Sequence, residues 1–334
     1  MGLLRLLLAI AVIGDHAAPP CGFLRLVGGT AAVEIFFVVS GFYMQMVLSG
    51  KYSSPGSFYL SRSLRIFPAY WIVAAITFSA WPINGFSHIG TLGWQPAALL
   101  FFANFAILLQ DTLLFLGSNG GKLFFTTDFA TTTPQLSAYL IVRPSWTLAL
   151  ELYFYLLSPY LCRFPGKAVF ALVLGLTATR LVTYKLGLVG DPWYYRFFPF
   201  ELPLFLLGMI LYRAYADGIL AWKGGGGWAI AILVAIMICG RIWFLLVPAQ
   251  YTFVFVMLAA PTIPLLFSAF KDSQADRFVG DLSFPIYLVH FPIIQWVTPH
   301  YAFVVALSIA AAVLISVAID RPLDRLRHKF LANG

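Results

Sequence analysis

An ionisable side chain within a long apolar segment is costly unless it is paired or lines a cavity, so each one marks a place where chemistry can occur. Here the set is Arg5, Asp15, His16, Glu34, Arg62, Arg65, Glu151, Arg180, Glu201, Arg241 and His290. Arg5 and His16 share the first apolar run, residues 3–17, with ten residues between them. On a helix this is a rise of about 16 Å between similar faces. An extended pantetheine arm has a comparable length, so a cofactor with its phosphates at Arg5 would bring a thioester to His16. An arginine that snorkels to inner headgroups and a histidine that merely ends its helix fit the same spacing.

Other candidates surround this pair. Glu34 opens the second apolar run, a short connection away from His16, where a carboxylate can orient an imidazole and stabilise its cation. It can equally cap its own helix. Ser40-Gly41, in the same run, suits close approach of a neighbouring helix or of substrate. Arg62 and Arg65 lie three apart and face one way on a helix, so both can grip one phosphate cluster; each also serves as an ordinary cytoplasmic anchor. Glu151 is about two turns into its run and expected at the depth of His16. Its partner is a substrate hydroxyl, His16, or a structural cation such as Arg180 or Arg241. His290 is expected near mid-membrane, where it can contact substrate or hydrogen-bond backbone opened by Pro292.

The elements that position these residues are membrane helices. Of 334 residues, 61% are hydrophobic and 10% charged, far below the roughly 25% charged of soluble domains. Long unbroken apolar runs exclude a β-barrel, whose strands alternate. Eleven runs approach the ~20 residues of a span: 3–17, 30–49, 66–82, 97–117, 145–162, 167–187, 198–215, 227–247, 251–270, 283–299 and 301–319. If 66–82 or 97–117 does not cross, 14 basic residues lie inside and 6 outside; if all cross, the split is 9 to 11. The positive-inside rule therefore favours about ten spans with both termini cytoplasmic. Residues 83–144 then form the largest external region, with a re-entrant or interfacial helix. The expectation is an all-α, polytopic transmembrane helix bundle forming a single domain, residues 1–334.

The net charge of +8 fits orientation and contact with membrane lipid, and no basic stretch is arranged for nucleic acid. Cys21, Cys162 and Cys239 are scattered, so neither a disulfide framework nor a metal site is expected. Arg5 within the first run, and no small-x-small site after it, argue against a cleaved signal peptide.

Five motifs in register over some 290 residues resemble acyltransferase family 3, a family of integral membrane acyltransferases. They are Arg5-x10-His16, FFVVSGF around Ser40, RSLRIFP from Arg62 to Pro68, SWTLALE ending at Glu151, and FPIYLVHFP around His290. Glu34 stands where the family often has Asp, and Asp15 beside His16 has no counterpart in the pattern. The resemblance implies a bacterial inner-membrane enzyme for O-acetylation, transferring an acyl group from acyl-CoA, commonly acetyl-CoA, to a hydroxyl of a cell-surface or exported glycan. It implies His16 as the catalytic residue, with Glu34 beside it and Arg5, Arg62 and Arg65 holding the CoA phosphates. Trp146, Glu151, His290 and Ser40 would line the acceptor side, with Trp146 offering a face for a sugar ring. No metal is required. The family's additional extracytoplasmic hydrolase-like domain is not expected in this chain. Residues 83–144 are expected to decide acceptor choice. Whether His16 only removes a proton or briefly carries the acyl group is left open by the residues.

A proton-coupled transporter is the rival from another class, since buried His, Glu and Arg also suit such carriers. Carriers usually show internal repeats and paired broken helices; neither is found in the sequence.

Overall fold

In a computed structural model of the chain, residues 1–50, 52, 54–80, 86–220, 224–297 and 300–325 are described. The apolar run Gly2–His16 forms helix α1. Its first N–H groups have no partner within the helix; those of Gly2 and Leu3 donate to the Asp276 carboxylate at 2.6 and 2.8 Å. Helix α2 (Gly29–Leu48) is capped in the same way from another element, with Gly29 N–H donating to Asp15 Oδ2 at 2.6 Å. The unanticipated Asp15 is thus the clamp that turns α1 into α2.

Helix α2 is the central element. It packs against α7 (Phe198–Ala216) with almost no separation. A Cβ built on Gly41 would fall 1.9 Å from the Phe205 carbonyl oxygen, and one on Gly208 2.0 Å from the Val38 carbonyl oxygen. Small residues at a membrane-helix interface let backbones meet and maximise van der Waals contact. Gly41 therefore serves a neighbouring helix.

The remaining helices are α3 (Pro55–Ala80), α4 (Trp94–Ala106), α5 (Trp146–Leu161), α6 (Gly166–Lys185) and α8 (Gly226–Leu246). They are followed by α9 (Thr252–Ala259), α10 (Thr262–Phe270), α11 (Gln274–Asp281), α12 (Ser283–Trp296) and α13 (Tyr301–Ile315), which continues through a π-helical turn to Asp320. Among the described residues, five helical segments are long and apolar enough to cross a membrane: Gly22–Leu48, Gly166–Lys185, Gly226–Leu246, Gln274–Trp296 and Tyr301–Arg325. The bent pair α9–α10, with a 52° break, makes a sixth. The protein is an integral membrane protein.

These criteria do not reach ten spans, and the reason is physical. Helices α1 and α5 have 15 and 16 residues, short of the ~20 that fill the hydrocarbon layer. Helices α3 and α7 contain Arg62, Arg65, Glu201 and Arg213, which lower their hydropathy. The rejected helices carry Arg5, His16, Arg62, Arg65, Glu151 and Glu201, while Glu34, Arg180 and His290 lie on helices that pass. Burial divides the spans themselves: 67% of the apolar window ending in α2 is buried, against 17% in α6, 28% in α8 and 22% in α13. The outer helices are mostly turned to lipid, although α6 sends Arg180 into the interior.

Two expectations are corrected. Arg62 and Arg65 lie inside α3, which starts at Pro55, well before the apolar run at 66–82; the last two residues of that run fall outside the described residues. The run 97–117 is not one helix. Helix α4 ends at Ala106, with Ile107 and Leu109 at positive φ of 67° each. The chain then forms a small antiparallel hairpin of β1 (Leu116–Asn119) and β2 (Lys122–Phe125), with Leu116 opposite Phe125. Gly120 and Gly121 turn it at φ of 55° and 79°, as a two-residue hairpin turn demands. Among the described residues the fold is therefore helical with one two-stranded addition. This lobe is pinned to the α6–α7 connection by Trp193, whose indole N–H donates to Thr127 O at 3.0 Å.

Candidate functional site

Helix α1 has a different cavity at each end. The larger, about 660 Å³, is lined by Arg5, Arg62, Arg65, Lys271 and Arg277, together with Glu151, Asp276 and Asp281. Five basic side chains against three acidic ones make it an anion-attracting space. Apolar walls come from Phe36, Phe37, Phe267, Phe270 and Phe284. The smaller, about 320 Å³, is lined by Asp15, His16, Arg143, Trp146, Tyr195, Arg196 and Phe291. Val33 and Tyr287 line both, so the two cavities adjoin there.

His16 is exposed to the smaller cavity. Its Nδ1 lies 2.9 Å from the Val12 carbonyl, one turn back on α1. A carbonyl can only accept, so Nδ1 carries the proton and the neutral ring keeps its lone pair on Nε2. That is the tautomer a general base facing the cavity needs. The neighbouring ring is His290, with centroids 5.2 Å apart. His290 is fully buried and its Nδ1 lies 2.7 Å from the Tyr287 carbonyl. It is among the lining residues of neither cavity, and its Nε2 has no hydrogen-bond partner among the described residues. The structure thus brings His290 against His16, which the sequence did not anticipate.

Glu34 is placed elsewhere. Its Oε1 accepts from Arg180 Nη2 at 3.3 Å. Arg180 also approaches Glu201 at 3.5 Å and donates to Tyr184 Oη at 2.7 Å and to the carbonyls of Phe200 and Tyr194. All three charged side chains are essentially inaccessible. The Glu34–His16 pair expected from the short connection is replaced by this Glu34–Arg180–Glu201 ion triad. The reason is rotation: Thr30 and Val33 of α2 line the cavity of His16, and Glu34, one residue on, turns about 100° away.

Glu151 lies in the larger cavity rather than beside His16. Its Oε1 accepts from Ser40 Oγ at 2.9 Å and from Tyr155 Oη at 2.5 Å. Neither Arg180 nor Arg241 is its partner. Ser40 is thereby a hydrogen-bond donor to Glu151. Trp146 stays with His16, one turn earlier on α5.

The three arginines expected to hold phosphate share the larger cavity but are not equivalent. Arg65 is held among Asp281 at 3.6 Å, Asp320 at 3.9 Å and Asp324 at 4.0 Å. Arg62 donates to Tyr52 Oη at 3.2 Å and lies over the rings of Phe58 and Tyr155, each at 5.9 Å. Arg5 makes no ion pair among the described residues and is the least committed of the three. The sequence missed Lys271 and Arg277 as lining groups because, alone, they read as orientation charges. Tyr287 was missed because an aromatic in an apolar run carries no signal. Among the described residues, no three His, Cys, Asp or Glu side chains gather so as to hold a metal ion.

Sequence comparison now adds to this geometry. A family model described as an acyltransferase domain matches residues 1–321. The chain belongs to the acyltransferase 3 family. Over 140 residues it is 26% identical to the exopolysaccharide production protein ExoZ of Rhizobium meliloti (strain 1021). The match covers 42% of this chain and 36% of that protein, so it spans about a third of the length of that curated relative. No solved structure matches. In this family member the two ends of the Arg5-x10-His16 motif reach different cavities, the arginine the larger one and the histidine the smaller.

Proposed function

We propose that the protein is a membrane O-acyltransferase. It moves an acyl group, acetyl in the simplest case, from acyl-CoA to a sugar hydroxyl of an exported or cell-surface glycan. The observation that carries this reading is the pair of adjoining cavities, one rich in arginine and one holding His16, spanned by α1. Family membership supports the reaction class, and the name of the Rhizobium relative supports a polysaccharide acceptor.

Acyl-CoA enters the larger cavity from the cytoplasm, with its phosphates at Arg5 and Arg62. Its pantetheine arm runs past Val33 and Tyr287 towards His16. The acceptor occupies the smaller cavity against Trp146, beneath Phe129, Gln135 and Ser137 of the 83–144 region, which select it. His16 Nε2 takes the proton of the acceptor hydroxyl as its oxygen attacks the thioester carbonyl. The C–S bond breaks, the thiolate leaves and the imidazolium returns the proton to it, giving the ester and free CoA. Holding both substrates in line removes much of the entropic barrier.

This reading places ten crossings in a bacterial inner membrane: α1, α2, α3, α5, α6, α7, α8, the α9–α10 pair, α12 and α13. Both termini are then cytoplasmic, and α4, with 13 residues, does not cross. The test is reconstitution in vesicles with radiolabelled acetyl-CoA and a glycan extract, comparing the parent with His16→Ala. Label in glycan should fall at least 100-fold; undiminished transfer by the variant would remove His16 from the chemistry.

A further inference from the structure

The smaller cavity has an unpaired guanidinium beside His16. Three charged side chains line it besides the histidine: Asp15, Arg143 and Arg196. The Asp15 carboxylate is committed to Gly29 N–H at 2.6 Å. Arg196 is committed through Nε to Asp191 Oδ1 at 2.7 Å, and its guanidinium lies 4.5 Å from both the Trp146 and Tyr195 rings. Arg143 is different. Its side chain is exposed to the cavity, and its guanidinium makes no ion pair or hydrogen bond among the described residues. It lies near Phe291, whose ring centroid is 5.7 Å from Cζ. The same ring meets His16 edge-on at 5.5 Å. The free guanidinium and the candidate base therefore flank a single aromatic side chain.

Local backbone strengthens the field. Arg143 opens the 3-10 turn Arg143–Ser145, which leads directly into the N-terminus of α5. The partial positive charge of that helix end adds to that of the arginine. A planar fork of donors above an aromatic ring is suited to a carboxylate or phosphate rather than to a neutral hydroxyl. Trp146 and Tyr195, which also line this cavity, add aromatic surface for the ring that carries it.

We infer that the acceptor is an acidic saccharide, whose carboxylate or phosphate is held by Arg143 while a hydroxyl of the same or adjacent ring meets His16. This inference rests on the proposed transferase reading for its acceptor role, but the anion site stands on the geometry alone. Two sources carry this chemistry: a uronic-acid type sugar, and the phosphate of a lipid-linked sugar.

The test uses the full chain in nanodiscs and reads occupancy as well as turnover. Carbethoxylation of exposed His16 by diethylpyrocarbonate is followed by site-resolved mass spectrometry with three probes: a glucuronate tetrasaccharide, neutral cellotetraose and a polyprenyl-diphosphate-linked glucose. An acidic probe is expected to slow His16 modification at least tenfold at a concentration where cellotetraose has no effect. Protection by the glucuronate alone assigns the carboxylate source, and protection by the lipid-linked sugar alone assigns the phosphate source. Arg143→Gln should abolish the difference between acidic and neutral probes, and Arg143→Lys should restore part of it. Equal protection by cellotetraose, protection by no probe, or a difference that survives Arg143→Gln would each overturn the inference. Acetyl-CoA turnover with the same probes separates the two readings. Protection without transfer would sink the transferase and leave the anion site. Equal transfer to neutral and acidic probes would do the reverse.

Discussion

Removing Arg180 is the sharpest test of the rearranged charges. Arg180 lies 3.3 Å from Glu34 and 3.5 Å from Glu201, with all three side chains closed to solvent. At an effective dielectric near 20, a unit pair at 3.3 Å is worth about 5 kcal/mol before desolvation. Breaking a buried pair by deleting one partner typically costs about 3–5 kcal/mol, because the other charge stays buried. Arg180→Met strands two carboxylates and also deletes the donors to Tyr184 and Phe200. We therefore expect a loss at the upper end of that range, read as the free energy of denaturant-induced unfolding of the purified protein by circular dichroism. Glu34→Gln leaves Arg180 with Glu201, so its loss should be only about 1–2 kcal/mol. The triple variant Arg180→Met, Glu34→Gln, Glu201→Gln removes all stranded charge and should recover most of the stability. Activity gives the decisive contrast. If Glu34 serves the fold, Glu34→Gln keeps the parent's pH–rate profile, with at most a small fall in kcat. A shifted acid limb in that variant, without a change in stability, would refute the triad and return Glu34 to His16.

Gly208→Ala puts a Cβ 2.0 Å from the Val38 carbonyl oxygen; forcing α2 and α7 apart should destabilise by about 1–3 kcal/mol or more, visible as a lowered melting temperature. Glu151→Gln keeps an oxygen to accept from Ser40 and Tyr155, so it should cost under about 1 kcal/mol, whereas Glu151→Ala orphans both hydroxyls and should cost about 1–3 kcal/mol by the same measurement. Arg5→Ala should raise the KM for acyl-CoA at least tenfold with a smaller change in kcat, and Arg65→Ala should do less, since Asp281, Asp320 and Asp324 already share that side chain. Burial pushes the Asp111 carboxyl up to about 6 from its ordinary 3.8. The folded state then holds the proton longer than the unfolded chain, so stability is greatest below about pH 4 and falls as pH rises through 6. The loss is of order 2–3 kcal/mol, and Asp111→Asn should flatten that slope in unfolding measured between pH 4 and 7.

What could be read in the sequence was whatever depends on neighbours along the chain. Sustained apolar runs announce membrane helices, and Arg5-x10-His16 fixes a rise on one helix whatever surrounds it. The two ends of α1 accordingly reach the two cavities, and Arg62 and Arg65, three apart, fall on one cavity wall. The helical class and the family were therefore legible. The non-helical stretch after Ala106 was less so, because residues 97–117 are mostly apolar. Only the turn chemistry of Gly120-Gly121 hinted at a hairpin.

Pairing was decided by the tertiary structure alone. Glu34 meets Arg180 across 146 positions, and Ser40 meets Glu151 across 111. In a low-dielectric interior a carboxylate takes the nearest strong donor that folding presents, and nothing local reveals which helix presents it. A sequence shows that Glu34 needs a partner; only the packing of α2 against α7, set by Gly41 and Gly208, turns it towards Arg180 and leaves His16 to His290. Tertiary structure likewise places Arg143 in the cavity of His16, where it has no ion-pair partner among the described residues.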